Sequence, residues 1–141
     1  KRGMMKPMKR KEMEEAADTY IDLLKIKTAS RETPVKSLSG GNQQKVIIGR
    51  WLLTNPEYLI LDEPTRGIDI GTKTEIQKLV LKLADEGKAI TFISSEVEEM
   101  LRTCSRMIVL RDGKKVGEIS GEELTQENIM KTIAGGEGTD E

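Results

Sequence analysis

Apolar positions change their period several times along this chain. From Met13 they fall at Met13, Ala16, Ala17, Tyr20 and Leu24, a spacing of three and four that predicts an amphipathic helix with one buried stripe. Thr28 to Ser37, with Pro34, reads as a connector. Ser39 opens a second predicted helix that runs to about Leu53 and is ended by Asn55-Pro56. Tyr58 to Leu61, Ala89 to Ile93 and Met107 to Leu110 are short apolar runs, predicted as buried strands. Ile76, Leu79, Val80 and Leu83 give the face of a helix between the first two, behind Thr72-Lys73-Thr74-Glu75, which has capping-box form. Gly87 is placed to stop that helix. Ser95-Glu96-Val97-Glu98 has the same form ahead of Met100 and Leu101. Asp112-Gly113 predicts a tight hairpin into Val116 to Ile119, and Leu124 to Ala134 is the last predicted helix. Gly135-Gly136-Glu137-Gly138 predicts a frayed tail. Strands alternating with helices predict an α/β fold, with parallel pairing and helical crossovers.

Composition narrows the class. The 141 residues suffice for one domain with a usable core. Hydrophobic residues make up 36% and charged residues 33%, with a formal net charge of −1, so there is no general attraction to nucleic acid or anionic lipid. Lys1, Arg2, Lys6, Lys9, Arg10 and Lys11 form a basic lead-in without an acid, read as a solvated approach to the first helix; Met4, Met5, Met8 and Met13 read as packing residues. A single cysteine, Cys104, excludes an internal disulfide framework and suits a reducing compartment. Histidine is absent, so no step here uses an imidazole. No apolar run approaches the ~20 residues that span a bilayer. The first residue is Lys1 rather than Met, and the expectation is a part of a longer protein.

Two stretches carry chemistry. Leu59-Ile60-Leu61-Asp62-Glu63-Pro64-Thr65 is an apolar strand ending in two adjacent carboxylates. Ligands in open α/β sheets sit beyond the carboxyl ends of parallel strands. There Asp62 suits Mg²⁺ held through water, and Glu63 suits orienting or deprotonating a water that attacks a phosphoryl group. The plainer reading is a solvated strand end. Leu38-Ser39-Gly40-Gly41-Asn42-Gln43-Gln44-Lys45 enters a helix through a hydroxyl and two glycines. Unpaired N–H groups and the positive dipole end suit a phosphate there, and glycines allow close approach. The plainer reading is a serine N-cap.

Taken together and in this order, the stretches resemble the ATP-binding domain of ABC transporters. Leu38 to Gln43 resembles the signature motif, Leu59 to Glu63 resembles Walker B, and Arg66-Gly67-Ile68-Asp69 sits where the family has its D-loop. Residues 9 to 53 resemble the helical subdomain. Gly-Gly-Asn-Gln-Gln-Lys and Thr-Arg-Gly-Ile-Asp are similar to the second cassette of tandem-cassette importers for simple sugars such as ribose and galactose. The resemblance implies a partial P-loop NTPase-like fold: a helical subdomain over 1–53 with the signature at 38–45, a distal α/β core over 54–134 ending in a hairpin, and a flexible tail over 135–141. It implies ATP and Mg²⁺, with Glu63 catalytic, Asp62 on the metal, and Ser39, Gly40, Gly41, Gln43, Asp69 and Ser95 on nucleotide. Ser39, Gly40 and Gly41 are then expected to cap ATP held by another cassette. A membrane permease is the implied partner, nucleic acid is not, and the implied location is the cytoplasmic side, peripheral on the inner face of the membrane.

Two departures from the family pattern qualify this. The phosphate loop Gly-x-x-x-x-Gly-Lys-Ser/Thr does not occur, so the chain is expected to bind ATP poorly alone. Without the strand that precedes that loop, an exposed apolar edge and self-association are expected. In Ile93-Ser94-Ser95-Glu96, Ser95 stands where the family has its switch histidine. The ATP site built on Asp62 and Glu63 is therefore expected to be slow, and the site completed by Ser39 to dominate. A non-transport ABC ATPase of DNA repair or translation, or a non-catalytic interaction module, shares part of this pattern.

Overall fold

A computed structural model describes residues 9–135. The basic lead-in over 1–8, with Met4, Met5 and Met8, and the tail over 136–141 lie outside the described residues. The helices are α1 (Arg10–Leu23), α2 (Gly40–Leu52), α3 (Ile70–Asp85), α4 (Val97–Thr103) and α5 (Gln126–Ala134). The strands are β1 (Tyr58–Asp62), β2 (Ala89–Ile93), β3 (Arg106–Arg111) and β4 (Lys114–Ser120). Single 3₁₀ turns occupy Val35–Ser37 and Gly121–Glu123. Within the described residues the chain divides into two compact units, 9–57 with 65–79, and 58–64 with 80–135. The boundary falls inside α3, and residues 65–79, including Asp69, group with the helices α1 and α2.

In the first unit, burial falls at the exit of α1 and along α2. Leu24, Ile26, Ile48 and Leu52 are buried. Along α1 itself Ala16, Ala17 and Tyr20 are only half-buried and Met13 is exposed, so the predicted stripe is covered at one end alone. Gly49 lets the helices meet: a Cβ there would lie 2.8 Å from Leu24 Cδ1. An apolar cavity of about 240 Å³ opens beside this contact, lined by Ala17, Tyr20, Ile26, Val46, Gly49 and Leu53 among others.

In the second unit, β1 and β2 pair in parallel, with Leu59 opposite Ile90 and Asp62 opposite Ile93. Alternation then puts Leu59, Leu61, Ile90 and Phe92 on one face, and Tyr58, Ile60, Thr91 and Ile93 on the other. Leu59 and Phe92 are buried, whereas Tyr58, Ile60 and Ile93 are exposed. The expectation of buried strands is thus corrected: among the described residues only one face is covered. Gly87, at φ +91°, ends α3 as expected. The Lys88 N–H bonds the Leu83 carbonyl and the Gly87 N–H that of Ala84, the two bonds of a Schellman motif.

The third predicted strand does not extend the parallel pair. β3 pairs antiparallel with β4, because only Asp112-Gly113 joins them and both residues take positive φ (52° and 76°), as a type I′ turn requires. The register slips between Val109 and Leu110, leaving Val116 as the extra residue of a bulge. Met107, Val109, Ile119 and Ile129 form the core of this part, with Val97, Met100, Leu101, Val116 and Leu124 packed around it. Gly117 is required there, because a Cβ would run into the Thr132 methyl group.

Two helix starts differ from expectation. α3 begins at Ile70, earlier than the Thr72–Glu75 box predicts. Asp69 is the cap, taking the Thr72 N–H at 2.9 Å and the Thr72 hydroxyl at 2.8 Å. α4 is entered from Glu96 without a side-chain cap on its helical N–H groups, and the Ser94 hydroxyl, not Ser95, accepts the Glu96 N–H. Among the described residues no helix is long and apolar enough to cross a membrane.

Candidate functional site

The Ser39 region belongs to the first unit. Ser39 is the N-cap of α2, with extended backbone, and its hydroxyl oxygen accepts from the Asn42 side-chain amide at 2.8 Å and, more loosely, from the Asn42 backbone N–H. The Ser39 O–H remains a donor. The N–H groups of Gly40 and Gly41 start the helix and have no acceptor within it. The two glycines serve different ends. Gly40 is exposed and a Cβ there would meet nothing within 4 Å, so its backbone is open to an incoming group. Gly41 is buried, and a Cβ would lie 2.6 Å from Thr72 Cγ2. Gln43 turns its amide back to the Leu38 carbonyl at 2.8 Å, bracing the loop that presents Ser39.

Behind this edge lies a polar support that the sequence pattern did not reveal. Asn42 accepts the Lys27 N–H at 2.8 Å. Lys45 is 3% exposed, and its ammonium bonds the Lys25 carbonyl at 3.0 Å and the Glu75 carboxylate. The Lys45 bond, assisted by the charge itself, holds the Glu75 carboxyl below its ordinary pKa. Asp69 is exposed, and its carboxyl is likewise lowered by the Thr72 N–H and then the Thr72 hydroxyl. Asp69 thus holds Thr72, and Thr72 packs on Gly41. The hint available in the sequence was Lys45 itself, on the α2 face shared with Gly41, Ile48 and Leu52.

Asp62, Glu63 and Ser95 belong to the second unit. Asp62 closes β1 and is exposed. It is a single oxygen-donor side chain, and no three His, Cys, Asp or Glu side chains converge on a metal-sized site among the described residues. That donor set fits a hydrated Mg²⁺ completed by water and phosphate oxygens, and does not fit a caged ion.

Glu63 has left-handed backbone, φ 47°. That conformation costs a non-glycine residue about 1–2 kcal/mol, so contacts must hold it. Two main-chain groups near the end of β2 do so. The Glu63 N–H donates to the Ile93 carbonyl at 2.9 Å, and the Glu63 Oε1 accepts the Ser95 N–H at 3.2 Å. Ser95 therefore reaches Glu63 through its backbone, with its side chain exposed. Cys104 is half-buried, and burial pushes its thiol up, away from reactivity.

A family model described as ABC transporter matches residues 3–66. Over 134 residues the chain is 54% identical to the fructose import ATP-binding protein FruK of Bifidobacterium longum (strain NCC 2705), covering 94% of this chain and 26% of FruK. It is 51% identical over 133 residues to the galactofuranose transporter ATP-binding protein YtfR of Escherichia coli (strain K12), covering 94% of this chain and 27% of YtfR. Among solved structures, the dimeric post-hydrolysis state of the ATP-binding cassette MJ0796 bound to ADP and Pi superposes with a TM-score of 0.72 at 28% identity. That match covers 86% of this chain and 51% of the cassette. The chain belongs to the ATP-binding domains of ABC transporters. It spans about a quarter of the length of the curated relatives it matches.

Proposed function

We propose that this chain is part of the ATP-hydrolysing subunit of an ABC-type sugar importer. The observation that carries this reading is identity of about half over nearly the whole chain to ATP-binding proteins of fructose import and of a galactofuranose transporter, in a fold that presents Ser39 and the Asp62-Glu63 pair. The subunit sits on the cytoplasmic side, peripheral on the inner face of the membrane, and works with a permease and a second cassette. The ADP- and Pi-bound dimer of MJ0796 supports pairing of cassettes around nucleotide.

In this reading the Ser39 hydroxyl and the Gly40 and Gly41 N–H groups cap the γ-phosphate of ATP held by the other cassette. Gln43 and Asp69 support that edge, Gln43 by fixing Leu38 and Asp69 by fixing Thr72. Asp62 would hold Mg²⁺ through water at this cassette's own nucleotide, where the ion neutralises phosphate charge. Glu63 orients the attacking water and takes its proton. Ser95 contributes a main-chain N–H to Glu63 in place of an imidazole. It has no side chain that reaches a γ-phosphate as an imidazole does, so this cassette's own site is the slower of the two.

The test is ATP hydrolysis and sugar uptake by the full-length subunit reconstituted with its permease. Ser39→Arg is expected to abolish both and to do more damage than Glu63→Gln. Equal or reversed effects count against the asymmetry, and uptake independent of both residues counts against the reading as a whole.

A further inference from the structure

Glu99 is a buried carboxylate that the chemistry above leaves unused. It lies on α4 and is 2% exposed. Its Oε2 accepts the Ser94 hydroxyl at 2.8 Å. The same Ser94 oxygen accepts the Glu96 N–H at 3.1 Å. Ser94 is therefore fixed in polarity: its one proton is committed to Glu99, and a lone pair is left facing Glu96. Between these two anchored residues lies Ser95, whose N–H holds the Glu63 carboxylate at 3.2 Å. Ile93, just before Ser94, holds the Glu63 backbone through its carbonyl. One short segment, 93–95, thus grips Glu63 at two points, and Glu99 fastens that segment from within.

Burying a carboxylate is costly unless its partners repay it, and an apolar side chain would fill the same space more cheaply. What a carboxylate adds is a strong directional acceptor. We infer that Glu99 is a positioning residue for hydrolysis: through Ser94 it fixes the peptide whose N–H aims the Glu63 carboxylate. The inference rests on Glu63 being the water-orienting group. The chain of contacts from Glu99 to Glu63 runs through Ser94 and the 94–95 peptide.

The experiment measures steady-state ATP turnover and binding of a fluorescent ATP analogue by the full-length subunit. The variants are Ser94→Ala, Glu99→Leu, Glu99→Gln, Glu63→Gln and the double variant Ser94→Ala/Glu63→Gln. Displacing Glu63 is expected to lower kcat about three- to tenfold in Ser94→Ala and Glu99→Leu, with KM and analogue affinity unchanged. Glu99→Gln keeps an acceptor oxygen for Ser94 and is expected to restore most of the rate. Ser94→Ala is expected to add nothing in the Glu63→Gln background, because both act through one carboxylate. If Glu99→Leu fails to fold, as its melting temperature will show, Ser94→Ala and Glu99→Gln decide the matter. Additive losses in the double variant, or a rise in KM matching the fall in kcat, overturn the positioning role. Turnover sensitive to Glu63→Gln but indifferent to Ser94→Ala overturns this inference alone. Turnover indifferent to Glu63→Gln overturns the reading of Glu63 and this inference with it.

Discussion

At Ser39 the chain offers donors, a hydroxyl and the opening N–H groups of a helix; at Glu63 it offers an acceptor at the end of a strand. The first region is built by neighbours in sequence and by an interlocking of side chains: Asn42 on Ser39, Thr72 on Gly41, and Lys45 on Glu75. The second is built by main-chain groups about thirty residues away that hold a left-handed residue in place. A helix start is pre-formed and tolerates loss of a single support. A strained carboxylate keeps its direction only while its distant contacts persist. The difference implies that substitutions near Ser39 separate into chemical and packing effects, whereas those near Glu63 mix the two.

Five variants and a change of pH break or sharpen this contrast. The largest effect is expected from Ser39→Arg, which puts a bulky cation where the hydroxyl stood. ATP turnover of the full-length subunit should fall about a hundredfold or more, the scale of losing a preorganised donor. Glu63→Gln comes next. In the proposed reading the two cassettes close on nucleotide in one shared cycle, so loss of the base at the slower site should slow that cycle about tenfold, at the mild end for general-base loss. A Glu63→Gln protein as inactive as Ser39→Arg removes the asymmetry.

Gly41→Ala tests packing without touching the proposed donors' chemistry. The added methyl meets Thr72, whose hydroxyl is tied to Asp69, so stability should drop by about 1–3 kcal/mol in denaturant titration. Gly40→Ala, with open space around it, should cost clearly less. The smallest effect concerns pH. Glu75 and Asp69 both have lowered folded-state pKa values. Their contribution is complete above the ordinary carboxylate range and is lost as pH falls through the lowered values. The urea midpoint should therefore decline on acidification below about pH 5, and Glu75→Gln should flatten part of that decline. A Glu75→Gln slope equal to that of the parent excludes the Lys45–Glu75 pair as a source.

The Ser39 cap and the punctuation of the fold could be read from the sequence, because a serine cap, a hairpin dipeptide and a helix-stopping glycine act within a few residues. Ser39, Asp112-Gly113 and Gly87 all do what their types require. Where two caps competed, the reading went astray. Thr72 looked like a cap, but Asp69 three residues earlier takes both of its donors. Ser95 looked like a cap to α4, but Ser94 takes the Glu96 N–H because Glu99 fixes its hydroxyl. Glu99 was invisible as a buried group and Lys45 was marked only by its place on the apolar face of α2, since charged residues read as solvated until a fold supplies partners. The left-handed backbone of Glu63 was equally hidden, because no local rule asks for it.

The turn at Asp112-Gly113 also sets a clock. β3 and β4 are separated by two residues that enter the left-handed region more readily than most, so their pairing closes a minimal loop and belongs on the microsecond scale of hairpins. β1 and β2 meet only after residues 63–88 have been spanned, and closing so long a loop costs entropy before any contact is gained. The hairpin should thus precede the parallel pair during folding, and Glu63 should acquire its grip only in the later event. The segment that carries the proposed chemistry is then among the last to be assembled.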